Sequence, residues 1–224
     1  MKRLYIAVAL CCLFCIPAYA QDYPKAEIYG GYQLIMDEEL IEDMTYYSTD
    51  SVFDDYKRLH GFNAALEYNI RSWIGIVGEF GHGRTSPVLN YDTEFAPYPK
   101  SSTEYRRNQT SFLFGPRFSY RGGRFRVFGH ALLGGNHISL GFTHIFVYED
   151  GSKDFYEGSQ SNTDFATAFG GGLDVSLGKL ISIRPVQFDL LSTYRSYYTH
   201  HEDKNQHQLR YSAGIVFKLG AANR

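Results

Sequence analysis

A few residues of this chain have the types and spacing that chemistry requires. His137 and Ser139 are separated by a single residue, and Glu149 follows. An imidazole that takes the proton of a serine hydroxyl, with an acid nearby, is the machinery of acyl transfer. His200, His201 and His207 stand beside Glu202 and Asp203, donors of the kind that hold zinc. Glu67 and Glu79 could act as an acid–base pair, and Asp37, Glu38, Glu39, Glu42, Asp43, Asp50, Asp54 and Asp55 form an acidic run able to attract divalent cations. Each has a plainer explanation. A three-residue match arises often by chance, adjacent histidines on an extended segment point apart, and a run of charge is usually a solvated face. The expectation is therefore no catalytic residue, no cofactor and no metal.

The elements that must position these residues are strands. Apolar and polar residues alternate in eight segments, near Lys25–Ile35, His60–Ile70, Trp73–Gly81, Thr110–Tyr120, Phe125–His137, Phe165–Leu177, Arg184–Leu190 and Gln208–Leu219. Alternation is the mark of a strand with two unlike faces. The seventh breaks phase, and a bulge near Pro185, which has no N–H for the ladder, would bring Arg184, Gln187 and Asp189 to one side. The connectors alternate too: Asn69–Ser72, Arg121–Arg124 and Gly178–Leu180 are short, whereas Met36–Arg58, Arg84–Arg106 and Ile138–Thr163 are long. Short turns at one end and long loops at the other predict an eight-stranded antiparallel up-and-down transmembrane β-barrel. Within the third long loop, YEDGSKDFY predicts a hairpin turning at Asp150-Gly151. The second, with Tyr91, Tyr98 and Tyr105 among prolines, offers an aromatic surface for adhesion.

The first twenty residues read as a signal peptide: Lys2 and Arg3, an apolar run from Leu4 to Ile16, and Ala18-Tyr19-Ala20 before a cleavage point. Domain organisation is then 1–20 signal peptide and 21–224 barrel, exported to the outer membrane of a Gram-negative bacterium. Cys11, Cys12 and Cys15 leave with the signal, so the mature chain has neither thiol nor disulfide. Loss of Lys2 and Arg3 leaves 20 basic against 24 acidic residues, a net charge of −4. No basic stripe recommends nucleic acid. The 19 Tyr, 17 Phe and 22 Gly suit curved sheets. No mature segment has the apolar length of a transmembrane helix, so a membrane crossing requires a closed barrel.

The rival to a lipid-facing barrel is a secreted calyx, greasy inside and polar outside. The polar face carries Glu27, Glu67, Glu79, Arg117, His130, Asp174, Arg184, Asp189, Arg210 and Lys218, and its partners in parity include Gly75, Gly115, Ala166, Ala168, Gly170 and Gly172. Small residues belong where crowding is worst, which is inside a narrow ring. The charged residues are then expected in the lumen as a network in which Arg117, Arg184, Arg210 and Lys218 neutralise the carboxylates. Tyr68, Trp73, Tyr120, Phe125 and Phe217 flank the short turns, as an interfacial girdle would.

SFLFGPRFSYR, FGHALLGG, AFGGGLDVSLGKLISIRPVQFDLL and LRYSAGIVFKLG resemble segments of the small OmpA-like outer-membrane β-barrel family. The resemblance implies a barrel surrounded by outer-membrane lipid and lipopolysaccharide and inserted by the outer-membrane assembly machinery. It also implies that Ser212, Gly214, Phe217 and Leu219 form the C-terminal insertion signal, although Gly220–Arg224 extends beyond the usual terminal aromatic. His137-Ile138-Ser139 resembles the pair used by lipid A deacylase barrels, but Leu140 stands where those carry Asn. The expectation is a non-enzymatic barrel with a structural role or a surface role that engages extracellular partners through its loops. The alternatives are a small regulated pore and, less favoured, a deacylase-type enzyme.

Overall fold

The structure is a computed structural model that describes residues 23–37, 57–92, 100–148, 150–194 and 205–220. Among them the regular elements are strands: β1 (Ala26–Asp37), β2 (Arg58–Arg71), β3 (Ile74–Thr85), β4 (Val88–Asp92), β5 (Lys100–Gly122), β6 (Phe125–Val147), β7 (Lys153–Ser176), β8 (Ile181–Tyr194) and β9 (Gln206–Leu219). Neighbours in sequence pair antiparallel except β3 and β4, β3 pairs with β5, and β1 pairs with β9 from Ala26↔Leu219 to Asp37↔Gln208, which closes an eight-stranded ring. A closed ring leaves no unpaired backbone edge, the condition for crossing hydrocarbon with strands. The ninth strand, β4, lies outside the ring and continues the line of β3 along β5 after a break at Ser86-Pro87.

The faces sort by environment. Phe114 is 58% exposed on the outside, whereas Arg210 is 0% exposed inside. A calyx would show the reverse, so the greasy face is the lipid-facing one. The outward rings of Phe62, Phe80 and Phe112 run across β2, β3 and β5 with centroids 5.6 and 5.0 Å apart. Short turns at Ser72-Trp73, Gly123-Arg124 and Leu177–Leu180 join strands at one end. Gly123 sits at φ +59°, a left-handed position in the tightest kind of strand reversal.

Three features correct or refine the sequence expectation. Most of Arg84–Arg106 and Ile138–Thr163, read as loops, is strand: β5, β6 and β7 continue past the ring, and β6 pairs with β7 through Val147↔Lys153. Alternation fails there because neither lipid nor a dry lumen selects the faces, while backbone pairing persists. The hairpin does turn at Asp150-Gly151, with Gly151 at φ +82° and the Ser152 amide and hydroxyl donating to Asp150 Oδ1 at 2.9 and 2.6 Å. Asp37, placed in the acidic first loop, is instead the last residue of β1 and fully buried; the other acids of that run lie outside the described residues. On β8 the register shifts between Arg184 and Gln187, and Arg184, Gln187 and Asp189 all point into the lumen.

Candidate functional site: the lumen and the outer end

Inward residues of every ring strand meet in one ion-pair network. Near the short turns, Glu27 of β1 accepts from Arg121 at 2.8 Å and from Arg126 of β6. Arg126 also bonds Glu67 of β2 and stands 3.6 Å from Asp174 of β7. Arg117 of β5 donates to Glu67 at 3.0 Å and to His130 Nδ1 at 2.9 Å. A guanidinium only donates, so Nδ1 accepts and the Nε2–H of His130 faces Asp189 at 2.7 Å. Asp189 of β8 accepts from Arg210 of β9 at 2.7 Å and from Gln187 at 2.8 Å, and Arg210 reaches on to Glu79 of β3. Arg184 grips both oxygens of Asp174, at 2.7 and 3.1 Å, and lies 4.3 Å from the ring centres of both Tyr29 and Phe128.

Nearer the loop end a second polar layer forms. Arg107 pairs with Asp37 at 2.6 Å, Gln208 donates to Asp37 at 2.8 Å, and Gln109 donates to Gln208 at 2.6 Å. The lumen also holds a small apolar cluster with Leu113, Leu132, Leu191 and Val77. Gly170 faces this interior because a Cβ there would stand 2.1 Å from Asp189 Oδ1; only a residue without a side chain leaves that carboxylate its place.

The named interior residues are thus all buried in the lumen except Lys218, which is half-buried and donates to Ser176 Oγ at 2.6 Å and to the Gly178 carbonyl. Its expected part as a carboxylate partner is taken by Arg126 and Arg121. Arg126 shares parity with His130, so counting back along β6 would have found it; the inward Phe128 and Leu132 disguised the polar face. Of the insertion-signal residues, Ser212 and Gly214 face inward while Phe217 and Leu219 face lipid.

His137 and Ser139 lie outward on β6, and His137 Nδ1 meets Thr163 Oγ1 at 2.7 Å. That nitrogen is engaged with the neighbouring strand, and Glu149 lies outside the described residues. His207 Nδ1 meets Ser192 Oγ at 2.8 Å, and His200, His201, Glu202 and Asp203 lie outside the described residues. Among the described residues no group of three His, Cys, Asp or Glu is placed to hold a metal ion, and no helix is long and apolar enough to cross a membrane.

A closed ring with a greasy exterior and a charged, self-paired interior defines a transmembrane β-barrel of the bacterial outer membrane. The chain belongs to the outer membrane protein beta-barrel domain family, whose model matches residues 6–219. No curated protein matches it by sequence. Among solved structures it is similar to Ail, the attachment invasion locus protein of Yersinia pestis, at 20% identity, with 87% of this chain and 99% of that chain covered and a TM-score of 0.46. It is also similar to Neisserial surface protein A, at 9% identity over 87% of this chain and 97% of that one, with a TM-score of 0.45. For OprG of Pseudomonas aeruginosa the identity is 9%, the coverage 89% and 98%, and the TM-score 0.44.

Proposed function

We propose that this outer-membrane barrel is a non-enzymatic surface-interaction protein whose working part is the sheet that β5, β6 and β7 raise beyond the ring. The observation that carries the reading is the edge of β7. Among the described residues β8 pairs with it only from Phe165↔Tyr194 inward, so Lys153–Asp164 is paired to β6 on one side and, among the described residues, has no partner strand on the other. An open edge is a template on which an extended segment of another protein can add as a strand. Phe155 and Tyr156, on opposite faces of that edge, are 63% and 62% exposed and supply the flanking contacts. The filled lumen supports a binding role over transport, since its cross-section is taken up by paired side chains. Residues 1–20 serve as the export signal in this reading, and N-terminal sequencing of the mature protein should begin at Gln21.

The test excises Leu140–Gln160, which face each other across β6 and β7, and recloses the strands with Asn-Gly. The shortened barrel should keep its heat-modifiable migration on gels but lose the adherence to host cells or matrix that the full chain confers on a non-adherent strain. Undiminished adherence would overturn the reading.

A further inference from the structure

We propose that Arg58, Arg84 and Arg106 form a site for the phosphate groups of the outer-leaflet glycolipid on the outer wall of β2, β3 and β5. The pairing register brings the three together. His60 opposes Arg84, and Arg84 opposes Asn108. Arg58 follows His60 toward the loop end at the next outward position of β2, and Arg106 does the same beside Asn108 on β5. Arg84 therefore has an arginine diagonally outward on each side, within reach of long side chains across adjacent strands.

Three observations make this a ligand surface. Arg117, Arg126, Arg184 and Arg210 in the lumen each have a carboxylate partner, whereas none of Arg58, Arg84 and Arg106 has an ion-pair partner among the described residues. Among the described residues Arg84 donates to Ser86 Oγ, at 3.3 Å, and Arg106 to Thr143 Oγ1, at 2.8 Å, whose hydroxyl donates on to Glu157 at 3.4 Å. Second, the described outward faces of β1, β6, β8 and β9 carry no Lys or Arg, and that of β7 carries only Lys153 at its far tip, so clustered positive charge is found on one wall. Third, the ladder Phe62–Phe80–Phe112 begins directly beneath, with His82 and Thr110, joined at 2.9 Å, in between.

Cations over aromatic and apolar surface, at the level where a strand leaves the hydrocarbon, match an amphiphile with anionic head groups and several acyl chains. A guanidinium fork binds phosphate oxygens bidentately. Glu104, further from the lipid on the same face of β5, bounds the positive patch on its outer side. The proposal rests on the outer-membrane assignment and is independent of the β7 edge.

The test refolds the protein free of lipid in detergent and measures adducts by native mass spectrometry with bisphosphorylated lipid A, dephosphorylated lipid A and phosphatidylglycerol. Wild type should retain bisphosphorylated lipid A in preference to both others. R58Q/R84Q/R106Q should lose on the order of tenfold in lipid A occupancy, with R84Q alone intermediate, while R124Q at the opposite turn should bind as wild type. Heat-modifiable migration verifies that each variant has folded; should the triple variant fail that check, R84Q against R124Q decides. Equal retention by the arginine variants, or equal binding of the dephosphorylated lipid, would overturn the site. Equal retention of phosphatidylglycerol would overturn its assignment to the glycolipid.

Discussion

The ring and the sheet it raises are made from the same strands, yet they obey different rules. Within the ring, outward residues such as Phe114, Phe169 and Leu190 are apolar and inward ones such as Glu67, Arg117 and Asp189 are polar. Beyond the ring β7 reads KDFYEGSQSNTD, with no such order. The strand is unbroken across the change; the surroundings are what differ. Periodicity in a strand therefore reports the media on its two sides, and an extended backbone bathed in water on both faces needs none.

The lumen should yield the largest effect. Replacing Arg210 with Ala strips Asp189 and Glu79 of their shared cation, and an uncompensated buried charge costs about 3–5 kcal/mol. Urea titration of barrels refolded in lipid vesicles, read by gel migration, should register that loss. In planar bilayers the wild type should give no large steady currents; stable channels together with an undamaged Arg210→Ala barrel would mean that water, and not side chains, fills the interior. Arg117→Ala, which leaves Glu67 to Arg126 alone and His130 without its donor, should cost less than Arg210→Ala.

Next comes one substitution made in both regions. Phe114→Arg puts a cation against hydrocarbon, at a cost of about 2–4 kcal/mol if the position is near the bilayer midplane. Phe155→Arg, in the raised sheet, should stay within roughly 0.5 kcal/mol of the parent. Similar losses at the two sites would erase the distinction between ring and sheet. Gly170→Ala should fall between them, about 1–3 kcal/mol, because the new Cβ would stand 2.1 Å from Asp189 Oδ1 and 2.2 Å from the Phe188 carbonyl oxygen; a neutral result would show that the carboxylate and the β8 backbone both give way.

The smallest effect is local. Hydrogen bonds from Ser152 hold the Asp150 carboxyl below its ordinary pKa. A lowered folded-state pKa means that the ionised carboxylate helps order the turn at neutral pH, and that this help is lost only as pH falls through the lowered value. The Ser152 amide resonance should thus keep its neutral-pH position somewhat below the usual carboxylate range of about 4, and Asp150→Asn should remove the titration. A midpoint at the ordinary value would show the turn to be open in solution.

Wherever a strand separates unlike media, its place in the fold was legible. The eight alternating segments, the short turns and the phase break at Pro185 could be read because Phe, Tyr and Leu mark one side and charge the other. The same logic failed for Lys100–Arg107 and Leu140–Asn162, where no contrast exists to read. Asp37 and Arg107 were missed for a related reason: their partnership joins β1 to β5 across the lumen, and nothing in the sequence near either residue announces the other. Arg126 was within reach of parity counting, but two inward apolar neighbours broke the polar pattern. The arginines of the outer wall needed the register, since Arg58, Arg84 and Arg106 are far apart in the chain and become neighbours only through pairing.

The seam between β1 and β9 sets the order of assembly. These strands come from opposite ends of the polypeptide, so their pairing spans nearly the whole chain and encloses the longest loop the molecule can make. The entropic penalty for enclosing a loop grows with its length, and contacts this remote in sequence form slowly. Until they form, β1 and β9 each present a bare edge able to capture other strands. Closure therefore carries the largest loop penalty of any pairing in the ring, and a chain cut short of Gln208–Leu219 is a curled ribbon that lacks the strand to close it.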